Sequence, residues 1–411
     1  MRATRHVRYD WGDHENETKA MNFSILPSDF DAENFLRHYW QKKPLLIRHS
    51  GRPFVDPVAP DELAGFACEE FIESRLVSND PATGKWTLRN GPFTEHDFAE
   101  LPETHWSLLV QAMDQWHEGV RRMLREFAFI PSWRIDDIMI SFASDGGGVG
   151  PHFDHYDVFL IQGLGSKRWR LGGRVNSTSQ LLPGTDLRLL QTFNAEDDWI
   201  VEPGDILYLP PNVAHHGVAI GDSITYSIGF RTPSVAEILD DFGSEVIQGL
   251  PEDHRYVDTA PQVPERTGEI TPQISRQLIK LLQTHLLDPE KLARWFGRYM
   301  TSPKYPELVS PSADPLSPQQ LRQALADGAV LVRNPASRFA FVANDEDGAE
   351  LHVDGTTIPC TSTIASLLPA MCNPHGQDPD WGMLLRNDDS AKLLTRLYNQ
   401  GSLLLDDEGD D

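Results

Sequence analysis

From Met21 to about residue 232, apolar residues fall in short runs separated by Gly, Pro, Asn and Asp. They are seen in "KKPLLIRHS", "DDIMISFAS", "YDVFLIQGLG", "KRWRLGG", "DWIVEPGDILYLPPN" and "HGVAIGDSITYSIGFRTP". Short runs with turn residues between them predict many antiparallel strands closing into a sandwich or barrel. Helices are expected over "DAENFLRHYWQ" and "HWSLLVQAMDQWHEGVRRMLREF". In the latter, Leu108, Leu109, Ala112, Met113 and Trp116 recur at helical spacing. Residues 1–20 are polar and without periodicity, which predicts a loose extension.

Beyond "RTP" the pattern becomes helical. Val235, Ile238, Leu239, Phe242, Val246 and Ile247 share one face, and a second helix starts at Thr271-Pro272 and restarts at Asp288-Pro289. Ile274, Leu278, Leu281, Leu282 and Leu286 form a strong stripe that such helices cannot bury alone. They are expected to pack on the barrel or on a second subunit. The Pro/Ser-rich "PELVSPSADPLSPQQ" reads as a linker. After it a helix capped by Ser317-Pro318, a strand, a hairpin and two further helices give the order of a winged-helix unit. The expected organisation is therefore an extension over 1–20, a mainly β barrel with helices over 21–232, a helical dimerisation segment over 233–312, and a winged-helix-like domain over 313–411.

A chain of 411 residues exceeds what one core usually organises. There is no long apolar run and the N-terminus lacks the apolar core of a signal peptide, so the cytoplasm is the expected location and no membrane partner is expected. The cysteines, Cys68, Cys360 and Cys372, are few and far apart, which fits reduced thiols and no structural zinc. Lys+Arg of 36 against Asp+Glu of 61 leaves a charge of −25, a field that repels phosphates and draws basic partners, or that serves solubility. Residues 341–380 hold no lysine or arginine. This argues against a winged-helix regulator bound directly to nucleic acid.

The candidate chemistry lies in "GPHFDHYDVF", which holds His-x-Asp in two frames, His152 with Asp154 and His155 with Asp157. On a strand either pair would project from one face and could reach one ion. The motif is weak alone, and a third copy stands at His352 and Asp354. Downstream, "PGDILYLPPNVAHHGV" delivers a further imidazole from His215 or His216. Two histidines and a carboxylate suit ferrous iron with open positions, or zinc with a water. A basic residue on the next strand, Lys167 in "GLGSKRWRLGG", is placed to meet the far carboxylate of a 2-oxoglutarate cosubstrate, with Arg168 on the opposite face. A cupin-like metalloprotein without oxidative chemistry, an isomerase or a sensor, is the alternative from another class.

The segments "HYWQKKPLLIR", "HWSLLVQAMDQW", "WRIDDIMISFASDGGGVGPHFDHYDVFLIQGLGSKRWRLG", "PGDILYLPPNVAHHGVA" and "TYSIGFRTPS" resemble the JmjC-type bacterial ribosomal oxygenases over nearly the whole chain. The resemblance implies a double-stranded β-helix (jelly-roll, cupin) barrel using Fe(II), 2-oxoglutarate and O2. It implies metal ligation by His152, Asp154 and His215, and cosubstrate binding by Lys167 and Ser141. His155 and Asp157 should then face away from the iron. It further implies hydroxylation of an arginine in the large-subunit ribosomal protein numbered sixteen, a basic partner that the negative charge suits, while the strongly apolar helical segment points to a homodimer.

Overall fold

In the computed structural model the apolar runs of the first half become β1 (Leu45–Ile47), β2 (Ser74–Asp80), β3 (Lys85–Asn90), β4 (Trp106–Val110), β5 (Ile135–Ala143), β6 (Asp157–Gln162), β7 (Ser166–Arg174), β8 (Ala195–Val201), β9 (Ile206–Leu209), β10 (Val213–Ile220) and β11 (Ser223–Phe230). The structure describes residues 25–406 apart from 50, 52–53, 177, 259–260, 262, 264, 344–347 and 374–378. The extension expected over 1–20 lies outside these. The chain divides into two compact units, 1–232 and 233–411.

In the first unit a large antiparallel sheet runs β1-β9-β6-β11-β5-β4-β2-β3 and a small one runs β10-β7-β8. Val158, Leu160, Leu207 and Leu209 of the large sheet meet Trp169, Leu171 and Val201 of the small one in one buried cluster, which makes the pair a jelly-roll barrel. The alternate residues of the same strands, Phe159, Ile161, Tyr208, Tyr226, Ile228 and Phe230, point outward into a larger core with Phe35, Leu63, Met113 and Phe127 from the covering helices. Being buried on both faces, β6 and β11 lack the apolar-polar alternation of a half-exposed strand. Ring packing is dense there: Phe35–Tyr208, Phe127–Phe159 and Phe159–Tyr208 centroids lie 4.8, 4.8 and 4.9 Å apart.

The helix expected over "HWSLLVQAMDQWHEGVRRMLREF" is corrected at its start. Trp106–Val110 is a strand paired between β2 and β5. Leu108 and Val110 enter the helix-side core, and a run apolar on both faces carries no period that separates strand from helix. Ala112 then takes a left-handed φ of 54°, and the chain continues as short helices over Met113–Trp116 and Glu118–Arg122. The β2–β3 hairpin was not among the expected strands, because its polar outer strand gives no apolar run.

In the second unit helices occupy Val235–Gln248, Pro272–Leu286 and Pro289–Thr301, the last capped by Asp288 accepting from the Lys291 N–H. Trp295 Nε1 donates to Asp241 Oδ1 at 2.6 Å, joining the first of these to the third. The Pro/Ser-rich stretch read as a linker is strapped down instead: Leu316 exchanges hydrogen bonds with the Asn399 side chain at 2.8 and 2.9 Å, and the Ser312 N–H reaches the Asn399 carbonyl. The helix Pro318–Ala326 has the capping box expected at Ser317. Behind it β12 (Val330–Arg333) pairs with β16 (Leu403–Asp406), and β13 (Phe339–Ala343), β14 (Ala349–Val353) and β15 (Thr356–Cys360) form a meander. The three cysteines are free thiols. Among the described residues no helix is long and apolar enough to cross a membrane.

Because Phe159 holds the sheet to the helix layer, Phe159→Ala is expected to cost about 3–5 kcal/mol of unfolding free energy in a denaturant titration.

Candidate metal centre

The loop between β5 and β6, "DGGGVGP", is built to lie against β10. The Gly146 N–H donates to the Ala219 carbonyl at 3.1 Å, and the Ala219 N–H to that of Gly147 at 2.9 Å. A Cβ on Gly148 would sit 2.3 Å from the Gly217 carbonyl oxygen, so the loop backbone meets the β10 backbone only because residue 148 is glycine. Two residues before the first candidate ligand, Gly150 has φ of 82°, which turns the chain back along β10.

There His152 and His215 exchange both main-chain hydrogen bonds, at 3.0 and 2.8 Å, in an isolated antiparallel bridge. Each ring is then oriented by its own neighbourhood: His152 Nδ1 against the Gly150 carbonyl and His215 Nδ1 against that of Val213, both at 2.9 Å. The two Nε2 atoms are left facing Asp154, 4.0 and 3.6 Å from its Oδ2. Asp154 is fixed through its carbonyl, which accepts from Asn212 at 2.7 Å. These three residues offer ligand atoms that all lie within 4.8 Å of one another. Burial, reinforced by the neighbouring His152 imidazole, pulls the His215 pKa down to about 4, so its ring is neutral at pH 7. Two imidazoles oriented by backbone carbonyls, with one carboxylate between them, fit a divalent ion.

The competing residues do other work. His155 is exposed and its Nδ1 meets Asn212 Oδ1 at 2.7 Å. Asp157 is fully buried on the helix side, accepting from the Tyr208 hydroxyl at 2.5 Å and the Gln41 amide at 3.0 Å. The two frames do not share a strand: β6 begins at Asp157, and His152 and Asp154 stand in the loop before it, so strand parity does not govern that pair. His216 turns to Arg170 Nη2 at 2.8 Å, away from the group. His352 is buried in the second unit and bonded to Thr357, and Asp354 accepts from Ser337, Ser402 and the Arg338 N–H.

Lys167 lies inside the barrel on β7 and its Nζ approaches Thr225 Oγ1 at 3.4 Å, above the Trp169 ring. No acidic side chain partners it among the described residues, and burial alone draws its amine down to about 8. Arg168, by contrast, is exposed and paired with Asp198. Ser141 is buried on β5 opposite Thr225, beside this end of the barrel. Tyr208 points out to the helix layer.

Sequence reasoning missed an acidic rim. The Tyr156 side chain is exposed, but its hydroxyl bonds the Asp154 carboxylate, and desolvation there together with Asp154 and Asp137 keeps the phenol protonated. Asp137 accepts from Gln111 Nε2 at 2.7 Å and from the Ala112 N–H at 3.1 Å. Behind it Asp114 accepts from the Ile138 N–H at 2.8 Å, and burial plus Asp137 push its carboxyl up to about 7. The available signal was parity: Asp137 lies an even number of residues from Ser141 on one strand.

Comparison with known proteins gives a JmjC-domain profile matching residues 122–238, a ROXA-like winged-helix profile matching 280–404, and an AraC-like ligand-binding-domain profile matching 191–296. The chain is 38% identical to the ribosomal protein uL16 3-hydroxylase of Escherichia coli, covering 90% of this chain and 96% of that one. It is 32% identical to a probable ribosomal oxygenase of Haemophilus influenzae over 87% of this chain and 89% of that one. The crystal structure of E. coli YcfD superposes with a TM-score of 0.81 at 36% identity, covering 92% of this chain and 99% of that one. YcfD in complex with cobalt and 2-oxoglutarate superposes at 0.77 with 34% identity, over 93% of this chain and 99% of that one. With near full-length agreement in sequence and fold, the chain belongs to the family of JmjC-domain ribosomal oxygenases.

Proposed function

We propose that this protein is a 2-oxoglutarate-dependent oxygenase that hydroxylates an arginine side chain of ribosomal protein uL16, with His152, Asp154 and His215 holding Fe(II) and with Lys167 and Ser141 binding the cosubstrate. The observation that carries the reading is one barrel interior with two ends: three converging ligand atoms at one, and a buried lysine without an acidic partner at the other. A cation buried without a carboxylate is costly, and a dicarboxylate spanning the barrel would relieve that cost. When bound, Fe(II) with 2-oxoglutarate and O2 supplies the oxidising chemistry, yielding succinate, carbon dioxide and a hydroxylated C–H position.

The protein's own residues do the positioning. His215 stays neutral and available to a metal because burial disfavours its charged form. The Gly150 and Val213 carbonyls fix which ring nitrogen each histidine presents. Val158, Leu160, Trp169 and Leu171 keep the interior apolar and bulk water out. The buried Asp137 carboxylate supplies negative charge and Tyr156 a neutral phenol, a setting suited to a guanidinium, and a chain of −25 charge attracts a basic ribosomal segment. A purely non-oxidative metal site would have no use for Lys167.

We read residues 21–232 as the catalytic barrel, 233–312 as a dimerisation segment and 313–411 as a winged-helix-like unit, in the cytoplasm. Homodimer formation is supported by the exposed Val235, Leu239, Ile247, Leu278 and Leu282, which nothing in the chain covers among the described residues. The winged-helix-like unit serves architecture or substrate recognition rather than direct nucleic-acid binding, since Arg322, for one, is committed to Asp388.

Substrate-dependent succinate formation, followed with a 16-dalton mass gain on the ribosomal protein, is expected to vanish in His152→Ala and Asp154→Ala; full activity in either overturns the metal assignment. Lys167 gives a signed pH dependence. Its ammonium form binds the carboxylate and its free form predominates above pH 8, so 2-oxoglutarate affinity should fall towards tenfold per pH unit above that point. Lys167→Arg stays charged and should flatten the profile in a calorimetric titration of the metal-loaded protein.

A further inference from the structure

Among the described residues the large sheet ends at β3, which has a neighbouring strand on one side only. Beside it lies a cleft of about 490 Å3 lined by Trp86, Thr87 and Leu88 of β3 and by Gly184, Thr185 and Asp186 of the loop between β7 and β8. Successive side chains of a strand point to opposite faces, so a cleft on one face meets every second residue. Three consecutive residues line this one, which places it along the strand's edge, where main-chain donors and acceptors face outward. The opposite wall offers Gly184, with no atom within 4 Å of where its Cβ would stand, and the exposed carboxylate of Asp186. Asp186 is the only charged residue among the described residues lining the cleft.

The walls of the cleft pack against the loop that carries the first metal ligands. A Cβ on Gly150 would lie 2.8 Å from Leu189 beyond one wall and 3.1 Å from Trp86 in the other. The Leu190 N–H donates to the Pro151 carbonyl at 2.8 Å, immediately before His152. A polypeptide leaving the barrel mouth on this side meets an unpaired strand edge within a few residues of the reacting side chain.

We propose that this cleft holds an extended segment of the protein substrate, flanking the modified residue and pairing as an added strand along β3. The pairing supplies affinity through main-chain hydrogen bonds, Trp86 and Leu88 supply apolar contact, and Asp186 selects a basic side chain. The inference rests on the reading that a basic ribosomal protein is the substrate.

Two measurements test it on the full-length, metal-loaded protein with peptides of uL16 centred on the hydroxylated residue, one of about 20 residues and one of about 6 (a strand of about six residues is typical). Amide hydrogen exchange over residues 85–90 should slow when the long peptide is added and stay unchanged with the short one. Thr185→Trp, which fills the cleft, and Asp186→Lys should each raise KM for the long peptide about tenfold, leave its kcat within about twofold, and cost the short peptide no affinity. Unaltered long-peptide KM in both variants, with wild-type turnover normal, overturns the cleft alone. Absence of peptide-stimulated succinate in the wild-type protein overturns the substrate reading and this inference together. Protection of 85–90 that rises with protein concentration and without peptide assigns the edge to a second copy of the chain and also overturns the proposal.

Discussion

The candidate site depends on two main-chain hydrogen bonds between His152 and His215. They come from residues 63 positions apart in sequence, one in a loop and one on β10 of the small sheet. Nothing in either side chain requires the other; the backbone bridge sets their separation, and the ring centroids come to 4.2 Å as a result. The glycine loop helps to make that bridge possible, since a side chain at Gly148 would meet the Gly217 carbonyl and hold the two segments apart. Asp154 follows by continuation of the same backbone, tied through Asn212 to the turn that leads into β10.

The barrel separates the needs of its two ends by sheet geometry. Residues of one parity on β5, β6 and β11 line the interior, and the others build the aromatic core with the helices. Polar interior positions are therefore scattered singly through strands that otherwise read as solid apolar runs. Asp114 and Asp137 show the cost of this arrangement: two carboxyls buried near one another, each satisfied by a backbone N–H of the other's segment, with one of them pushed towards neutrality. Such a pair holds the start of β5 against the corner after β4 while keeping negative charge near the mouth.

Most strands of the barrel were legible because Gly, Pro, Asn and Asp mark their ends, the helix after Ser234 because of its apolar face, and those at Asp288 and Ser317 because their caps are written in side chains. The segment at Trp106–Val110 was not, because double-sided burial erases the period that separates strand from helix. The three converging ligand residues could be named from motif and resemblance, but the reason they converge could not: it lies in main-chain pairing and in a left-handed glycine, neither of which has a side-chain signature. His215 and His216 are adjacent on β10 and differ only in the face they present, which their register opposite Leu171 and Arg170 decides. The linker reading failed because Asn399, far along the chain, supplies the hydrogen bonds that a Pro/Ser-rich stretch cannot make for itself.

The outward-facing aromatic core has a consequence for where this enzyme can be cut. The JmjC match begins at residue 122, yet Phe35, Leu63, Met113 and Val120, all upstream, seal the back of the strands that carry the interior residues. Those strands cannot be wet on one side and keep their twist and spacing on the other. The smallest autonomous piece of the barrel is thus set by its rear wall and not by its reactive face: the helices that never approach the cosubstrate belong to the catalytic machinery as its foundation.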